Sequence, residues 1–222
     1  MNDSLSRPVL AEFIGAFVLV FVGAAAVTVA PEQGVVVAAL AHGLALVSII
    51  YSYGHISGAH INPAVTVGLL IGGKIDLPKA IAYIIAQFLG GIVAAIIVSL
   101  VVPAGTNLGQ TTGLLTATSP WQAALFEGVM TFLLVSAVYQ AAAFEKAGII
   151  AGIAIGFTLA ACILAGGLYT GASLNPARTL GPAMIAGDLS YVLPYFVGIF
   201  GGGIVAGLVQ TFLFGDTARV KA

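Results

Sequence analysis

Charged residues are so sparse in this sequence that they leave six long uncharged runs. The runs cover residues 13–31, 33–73, 80–126, 128–144, 147–177 and 189–215. A helix needs about 20 apolar residues to cross the hydrocarbon core of a membrane. Only 7% of the 222 residues are charged, against about a quarter in a typical soluble domain. The runs therefore predict an integral membrane protein and not a water-soluble globule.

The composition excludes several functional classes. A net charge of −1 and the absence of a Lys/Arg cluster leave no surface for nucleic-acid phosphates. The single cysteine cannot form an intrachain disulfide or a cysteine-based metal site. No G-x-x-x-x-G-K-[ST] loop is present for ATP-driven transport. The 29 glycines favour helices that pack backbone to backbone in a bilayer, and the continuous apolar runs disfavour an outer-membrane barrel.

Turn and loop residues divide the runs into six predicted membrane spans. The spans lie near residues 8–30, 35–53, 79–102, 120–143, 148–167 and 191–214. Two further segments, 55–73 and 168–187, are too apolar for ordinary loops yet contain Pro, Gly and polar residues. The fold class predicted is an all-α membrane protein with six transmembrane helices and two irregular apolar segments.

The basic residues indicate the orientation in the membrane. Six of the seven lie on one side if there are six spans, namely Arg7, Lys74, Lys79, Lys146, Arg219 and Lys221. Lys and Arg collect on the cytoplasmic side of short loops. We therefore expect a multi-pass protein of the cell membrane with both termini cytoplasmic and the first span retained as an anchor. Arg178 is the one basic residue on the opposite side.

An internal repeat relates the two irregular segments. S-G-A-H-I-N-P-A-V-T-V-G at 57–68 matches T-G-A-S-L-N-P-A-R-T-L-G at 170–181, 113 residues further on. Glu12 and Glu127 in the first and fourth spans add a second matching pair. Three spans per repeat is an odd number, so the halves, about 8–102 and 120–214, have opposite orientations, as in many transport proteins. We predict a single transmembrane channel domain over residues 1–222.

Each repeat contains an Asn-Pro-Ala box that is typical of a helix start. The boxes are Asn62, Pro63, Ala64 and Asn175, Pro176, Ala177. Asn is a favoured N-cap and Pro a favoured first helical residue, so each box predicts a short helix of about ten residues, or about 15 Å. Two such re-entrant half-helices would together cross the bilayer with both N-termini at its centre.

The backbone that precedes each box must lie at membrane depth. Irregular backbone is tolerated there only when it is buried in protein or faces water. We therefore expect Gly58, Ala59, His60, Gly171 and Ser173 to supply carbonyl groups to a water-filled pore. Re-entrant loops that only pack against protein are the alternative.

These features resemble the aquaporin (major intrinsic protein) family. The resemblance rests on the two Asn-Pro-Ala boxes, on Arg178 directly after the second box and on the paired glutamates, and it extends from about residue 10 to 214. It implies an aquaporin-like 3+3 inverted repeat, a homotetramer in membrane lipid, passive conduction of water and small neutral solutes, and no cofactor. In the family, the equivalents of Glu12 and Glu127 brace the re-entrant loops by accepting backbone N–H groups. A proton relay is the alternative role for these carboxylates.

The resemblance also assigns a selectivity filter near the outer mouth. Its four positions fall on His42, Ile163, Ala172 and Arg178. This set resembles the filter of plant tonoplast-type aquaporins, which are associated with ammonia as well as water. Arg178 is expected to repel cations and donate to the permeant, and Ile163 with Ala172 to widen the pore. For His42, the alternative is a residue that only packs or bonds to the backbone of its span.

Two details of this region carry further expectations. Cys162 lies next to Ile163, but a helix turns about 100° per residue, so its thiol is expected to face protein or lipid. The filter position Ala172 is not a cysteine, which predicts weak block by mercurials.

We therefore expect a passive water channel that also conducts ammonia and excludes protons and ions. A glycerol facilitator is the nearest alternative, although glycerol channels typically carry Asp and a basic residue where this chain has Thr179 and Ala183. An ion-coupled secondary transporter and a structural junction protein are further alternatives. No catalytic residue or metal site is expected, because His42, His55 and His60 lack ligand spacing with acids or Cys.

Overall fold

The computed structural model describes residues 5–215, and these residues form an all-helical protein. Six long helical segments are α1 (Ser6–Gln33), α2 (Val35–Ser57), α4 (Leu77–Val101), α6 (Pro120–Val138, continued by a π-helical turn, Tyr139–Ala143), α7 (Ala151–Thr170, preceded by a 3-10 turn, Gly148–Ile150) and α9 (Val192–Phe214). The short helices are α3 (Pro63–Ile71), α5 (Leu114–Thr118) and α8 (Pro176–Ala186). The predicted fold class is confirmed. Arg219 and Lys221 lie outside the described residues.

The six long helices are apolar enough to cross a membrane. Their best windows have mean hydropathies between 1.5 and 2.5, and only 33–39% of the residues in these windows are buried inside the protein. Large apolar side chains cover the outer surface, as at Leu100 and Phe212, which are 74% and 87% exposed. Such a surface is stable in lipid and not in water. The chain is therefore a multi-pass membrane protein.

Glycines allow the long helices to approach the two half-helices. A Cβ atom added to Gly91 of α4 would lie 2.7 Å from the carbonyl oxygen of Ala177 in α8. A Cβ atom added to Gly203 of α9 would lie 2.6 Å from the carbonyl oxygen of Ala64 in α3. These separations leave no room for a side chain. Each half-helix therefore packs directly against the backbone of a membrane-spanning helix from the other half of the chain.

The structure corrects the predicted start of both irregular segments. Residues 55–57 and 168–170 are helical, so α2 and α7 each extend three residues into the segments predicted as 55–73 and 168–187. Gly58 and Gly171 end these helices in the left-handed conformation, with φ of 91° and 79°. Their N–H groups donate to the carbonyls of Gly54 and Gly167. Glycine adopts this conformation at little steric cost, so it fixes the ends of both helices.

Candidate functional site

Each half-helix begins at an asparagine of the repeat. The Oδ1 atom of Asn62 accepts the Ala64 N–H at 2.8 Å, and the Oδ1 atom of Asn175 accepts the Ala177 N–H at 3.0 Å. A proline occupies the first turn of both helices. The two boxes thus cap their helices through the carbonyl oxygen of the amide, which leaves the NH2 group of each asparagine for other partners.

The NH2 groups of the two asparagines connect the halves of the chain. Asn62 Nδ2 donates to the carbonyl of Leu174 at 2.8 Å, and Asn175 Nδ2 donates to the carbonyl of Ile61 at 3.1 Å. Each asparagine thus bonds the residue that precedes the opposite box. The N-termini of α3 and α8 therefore lie next to each other inside the protein. Because an amide NH2 carries two hydrogens, each asparagine retains one donor.

The loops before the boxes have an unusual backbone. Ala59 and Ile61 have φ of 48° and 59°, and the corresponding Ala172 and Leu174 have φ of 45° and 54°. Residues other than glycine rarely adopt positive φ, and each such residue costs about 1–3 kcal/mol. The β-branched Ile61 is the most unfavourable of the four. Strong contacts must hold this conformation in place in both loops.

Glu12 supplies these contacts in the first half. Its Oε1 atom accepts the Ser57 hydroxyl at 2.7 Å and the His60 N–H at 2.9 Å. Its Oε2 atom accepts the Ile61 N–H at 2.6 Å and the Gln87 amide at 2.8 Å. The side chain is fully buried. Four donors thus surround one carboxylate, which compensates for its removal from water and ties the loop to α1 and α4.

Glu127 holds the second loop with one donor fewer. It accepts the Thr170 hydroxyl at 2.7 Å, the Ser173 N–H at 2.9 Å and the Leu174 N–H at 2.8 Å. Ile199 of α9 is buried at the position that corresponds to Gln87 of α4, 112 residues earlier. The two halves therefore share their main-chain contacts and differ in one side-chain donor.

Two tyrosines that the sequence analysis did not identify complete this arrangement. Tyr83 donates its hydroxyl to the carbonyl of Ser57 at 2.8 Å, and Tyr195 donates to the carbonyl of Thr170 at 2.7 Å. The tyrosines are 112 residues apart, almost the spacing of the Asn-Pro-Ala boxes. The repeat spacing could therefore have identified both tyrosines from the sequence alone. Gln87 had no such signal, because its counterpart is Ile199.

A cavity follows both loops and both boxes. Its polar lining comprises His42, Gly58, His60, Asn62, Ser173, Asn175 and Arg178, and its apolar lining includes Ala59, Leu46, Ile50, Leu134, Val138 and Leu159. Of the residues predicted for the selectivity filter and the carbonyl loops, Gly171, Ile163 and Ala172 do not border this cavity. Ile163 and Ala172 are 2% and 3% exposed and pack in the main apolar cluster.

Arg178 and His42 form the most polar part of the cavity wall. The Nε–H of Arg178 donates to Nε2 of His42 at 3.0 Å, and Nδ1 of His42 lies 2.7 Å from the carbonyl of Ala38. Since arginine only donates, Nε2 is the acceptor and Nδ1 carries the proton, which defines a neutral imidazole. The ring therefore bonds to the backbone of its own helix and also borders the cavity.

The terminal nitrogens of Arg178 have no partner among the described residues. Nη1 and Nη2 are buried without a hydrogen bond, and Arg178 as a whole is 1% exposed. Asp188, the acid nearest in the sequence, is instead bonded to the Ser190 N–H and hydroxyl. A buried guanidinium with open donors provides positive charge and hydrogen bonds to a small polar molecule in the cavity.

Comparison with known proteins shows to which family this chain belongs. A family model described as major intrinsic protein matches residues 2–210. This chain belongs to the major intrinsic protein family. The match covers both Asn-Pro-Ala boxes, both buried glutamates and Arg178, so the residues brought together at the cavity are residues of the family's own fold.

Plant members of this family are similar over most of their length. The protein named probable aquaporin TIP1-2 from Oryza sativa subsp. japonica is 39% identical, with 96% of this chain and 88% of that protein covered. Aquaporin TIP2-3 from Arabidopsis thaliana is 41% identical, with 96% and 91% covered. The X-ray structure of the aquaglyceroporin from Plasmodium falciparum has a TM-score of 0.79 at 25% identity and covers 98% of this chain and 100% of that chain.

Proposed function

We propose that this major intrinsic protein is a passive water channel that also conducts ammonia and excludes protons and ions. Family membership supports a channel, and the relatives named aquaporins support water as the permeant. One observation carries the proposal: a single cavity is bordered by both capping asparagines and by an arginine with unpaired donors. The family consists of channels, so no enzymatic activity is proposed.

Water passes the two boxes in one orientation. Each half-helix carries about half a positive charge at its N-terminus, and the free N–H of Asn62 and that of Asn175 donate to the same water oxygen. The hydrogens of this water then point away from the boxes, so a proton cannot be relayed along the file. Exclusion of protons and cations by the positive ends of half-helix dipoles is a general feature of aquaporin-type channels, and the contacts of the two asparagines place both half-helix N-termini side by side.

The filter selects neutral molecules. We propose that His42, Ile163, Ala172 and Arg178 form it. Arg178 repels cations, ammonium included, and its open Nη donors bond to water oxygen or to the lone pair of ammonia. His42 is neutral in the observed hydrogen-bond pattern and fixes the Arg178 side chain. The carbonyls of Gly58, Ala59, His60 and Ser173, which border the cavity, provide acceptors along the remaining path, whereas Gly171 does not border it.

The glutamates have a structural role in this proposal. Glu12 and Glu127 each hold two consecutive N–H groups of a strained loop. Neither carboxylate borders the cavity, whereas a proton relay of an ion-coupled transporter would need access to it. Bracing therefore explains the two carboxylates better than proton transfer does.

Glycerol is the second candidate permeant, because a structural neighbour is an aquaglyceroporin. Thr179 follows Arg178, and its hydroxyl lies 2.6 Å from the Ser173 hydroxyl, so it faces the loop and provides no acid beside the filter. We therefore propose water, and not glycerol, as the main permeant.

Membership of the family also supports a proposal for the assembly, the domain organisation and the topology. We propose a homotetramer with one pore per subunit, a single channel domain with inverted repeats at about 8–102 and 120–214, and cytoplasmic termini. The relatives carry the TIP designation of tonoplast-type aquaporins, so they do not support the predicted location in the cell membrane. We therefore propose an integral membrane location without naming the membrane.

Stopped-flow measurements on proteoliposomes test the function. Osmotic shrinkage should be faster than in empty liposomes with a low activation energy, and an ammonia gradient should change the internal pH faster. A cation gradient should leave the water flux unchanged. Water permeability equal to that of empty liposomes would refute the channel, and glycerol flux that exceeds water flux would favour the second candidate.

A further inference from the structure

The described basic side chains outside the cavity lie at one end of the molecule. Lys74, in the connection from α3 to α4, places its Nζ atom 4.8 Å from the ring centre of Phe144, in the connection from α6 to α7. Lys79 in the first turn of α4 lies 5.4 Å from the ring centre of Tyr83. Lys146 follows Phe144 by two residues, and Arg7 lies at the start of α1. We call this the basic end.

A surface pocket lies at the basic end between α1 and α2. It is lined by Arg7 and Pro8 from the first turn of α1 and by His55 and Ile56 from the last turn of α2. Arg7 and His55 thus contribute nitrogen donors to the lining, and Pro8 and Ile56 contribute apolar side chains. Neither Asp76 nor Glu145, the two described acids near this end, lines it.

The donors of this pocket are unused within the described part of the chain. Lys74 and Lys79 lie over aromatic rings, whereas no hydrogen bond or ion pair joins Arg7 or His55 to another side chain in residues 5–215. Both residues are exposed. Within residues 5–215 the guanidinium of Arg7 therefore has no side-chain partner, and a guanidinium pairs well with a phosphate through two parallel hydrogen bonds.

The pocket also lies at the boundary of the exposed apolar surface of this chain. Leu10, one turn after Arg7 in α1, is 57% exposed, and Leu44, about three turns before His55 in α2, is 59% exposed. An acyl chain packed on these faces places its own phosphate at the level of Arg7 and His55. Basic pockets between membrane helices are suited to anionic headgroups for this reason.

We propose that Arg7 and His55 bind the phosphate of an anionic lipid in the surrounding leaflet. The guanidinium pairs with two phosphate oxygens, the imidazole donates a further hydrogen bond, and Pro8 and Ile56 flank the glycerol backbone. Because the lipid is held in the bilayer, its phosphate reaches the pocket without the loss of freedom that a free phosphate ion would incur. This site does not depend on what the pore conducts.

Native mass spectrometry of the purified protein with added dioleoylphosphatidylglycerol tests the site. Arg7→Gln should weaken binding by about fivefold, because one basic residue near an anionic membrane surface contributes about 1 kcal/mol. His55→Gln should weaken it further in the double variant. Lys146→Gln is the matched control, since it removes one charge from the same end but lies outside the pocket. Dioleoylphosphatidylcholine and inorganic phosphate serve as the other two ligands.

The outcomes separate the alternatives. Loss of phosphatidylglycerol binding in the Arg7 and His55 variants, with Lys146→Gln like the natural protein, supports the site. Equal loss in Lys146→Gln would show a nonspecific charge effect and overturn it. Inorganic phosphate bound as tightly as phosphatidylglycerol would replace the lipid with a free anion and also overturn it. Circular dichroism of each variant confirms that the helices are intact.

Discussion

The Nε–H of Arg178 donates to Nε2 of His42 at 3.0 Å, and this bond joins residues 136 positions apart. Arg178 belongs to the half-helix α8, and His42 to α2 in the other half of the chain. Gly23 of α1 lies against the imidazole ring, so closely that a Cβ atom there would overlap it. The direction of the arginine therefore depends on a histidine that is held by the backbone of its own helix, α2, and by the neighbouring helix α1.

Replacement of this histidine should alter selectivity. We expect His42→Phe to lower ammonia permeability relative to water by about tenfold, which corresponds to about 1.4 kcal/mol in the barrier. Phenylalanine has a ring of similar size but accepts no hydrogen bond, so Arg178 loses its partner. Ammonia-driven pH change and osmotic shrinkage in the same proteoliposomes give the ratio. His55→Phe, on the exposed end of the same helix, is the control, and an unchanged ratio in His42→Phe would remove His42 from the filter.

Block of the water flux by mercurials tests whether Ala172, a proposed filter residue, borders the pore. Cys162 is 5% exposed and its sulfur lies 3.8 Å from the carbonyl of Met130, outside the cavity lining. We expect the natural protein to keep its water flux in mercuric chloride and Ala172→Cys to lose most of it, with recovery in a thiol reductant. The control is Ala172→Ser, which should be insensitive. A fully active, insensitive Ala172→Cys variant would show that residue 172 does not border the pore.

The two glutamates should differ in their contribution to stability. We expect Glu12→Gln to lower the free energy of unfolding by about 3 kcal/mol and Glu127→Gln by about 2 kcal/mol, since each buried donor left unpaired costs about 1–3 kcal/mol. The new NH2 group faces donors in both loops, and in the first it also faces the Gln87 amide. Unfolding in a detergent titration measures the difference.

The exposed Glu145 provides the control for this comparison. Glu145→Gln should change the free energy of unfolding by less than about 0.5 kcal/mol, as is usual at the surface. A loss in Glu127→Gln that equals or exceeds the loss in Glu12→Gln would contradict the added contribution of Gln87.

Adjacent glycines in α9 should respond oppositely to alanine. A Cβ atom on Gly202 would overlap the carbonyl oxygen of Gly128 in α6, whereas a Cβ atom on Gly201 meets nothing within 4 Å. We expect Gly202→Ala to lower stability by about 1–3 kcal/mol through overpacking. Gly201→Ala should raise it by up to about 1 kcal/mol, because alanine favours the helix. Thermal unfolding in detergent measures both, and equal effects would contradict the close approach of α6 and α9.

The sequence alone was sufficient to predict the membrane spans and the half-helices. A bilayer of fixed thickness demands long apolar runs, so the six spans were readable from the positions of the charges. Asn62 and Asn175, each followed by proline, predicted both short helices because cap and first turn are local interactions. The ends of the second and fifth spans, predicted at residues 53 and 167, were misplaced by four and three residues, since several nearby glycines offered equivalent stop signals.

The remaining contacts were decided by tertiary structure. Gln87 reaches Glu12 from 75 positions away, and Asn62 bonds the carbonyl of Leu174 from 112 positions away. No local pattern encodes such partners, because they depend on how α1, α4 and the two loops pack. The sequence by itself determined which segments enter the membrane and where each half-helix begins. Packing alone decided which donors remain open at the cavity, because a donor is free only when every neighbouring helix leaves it without a partner.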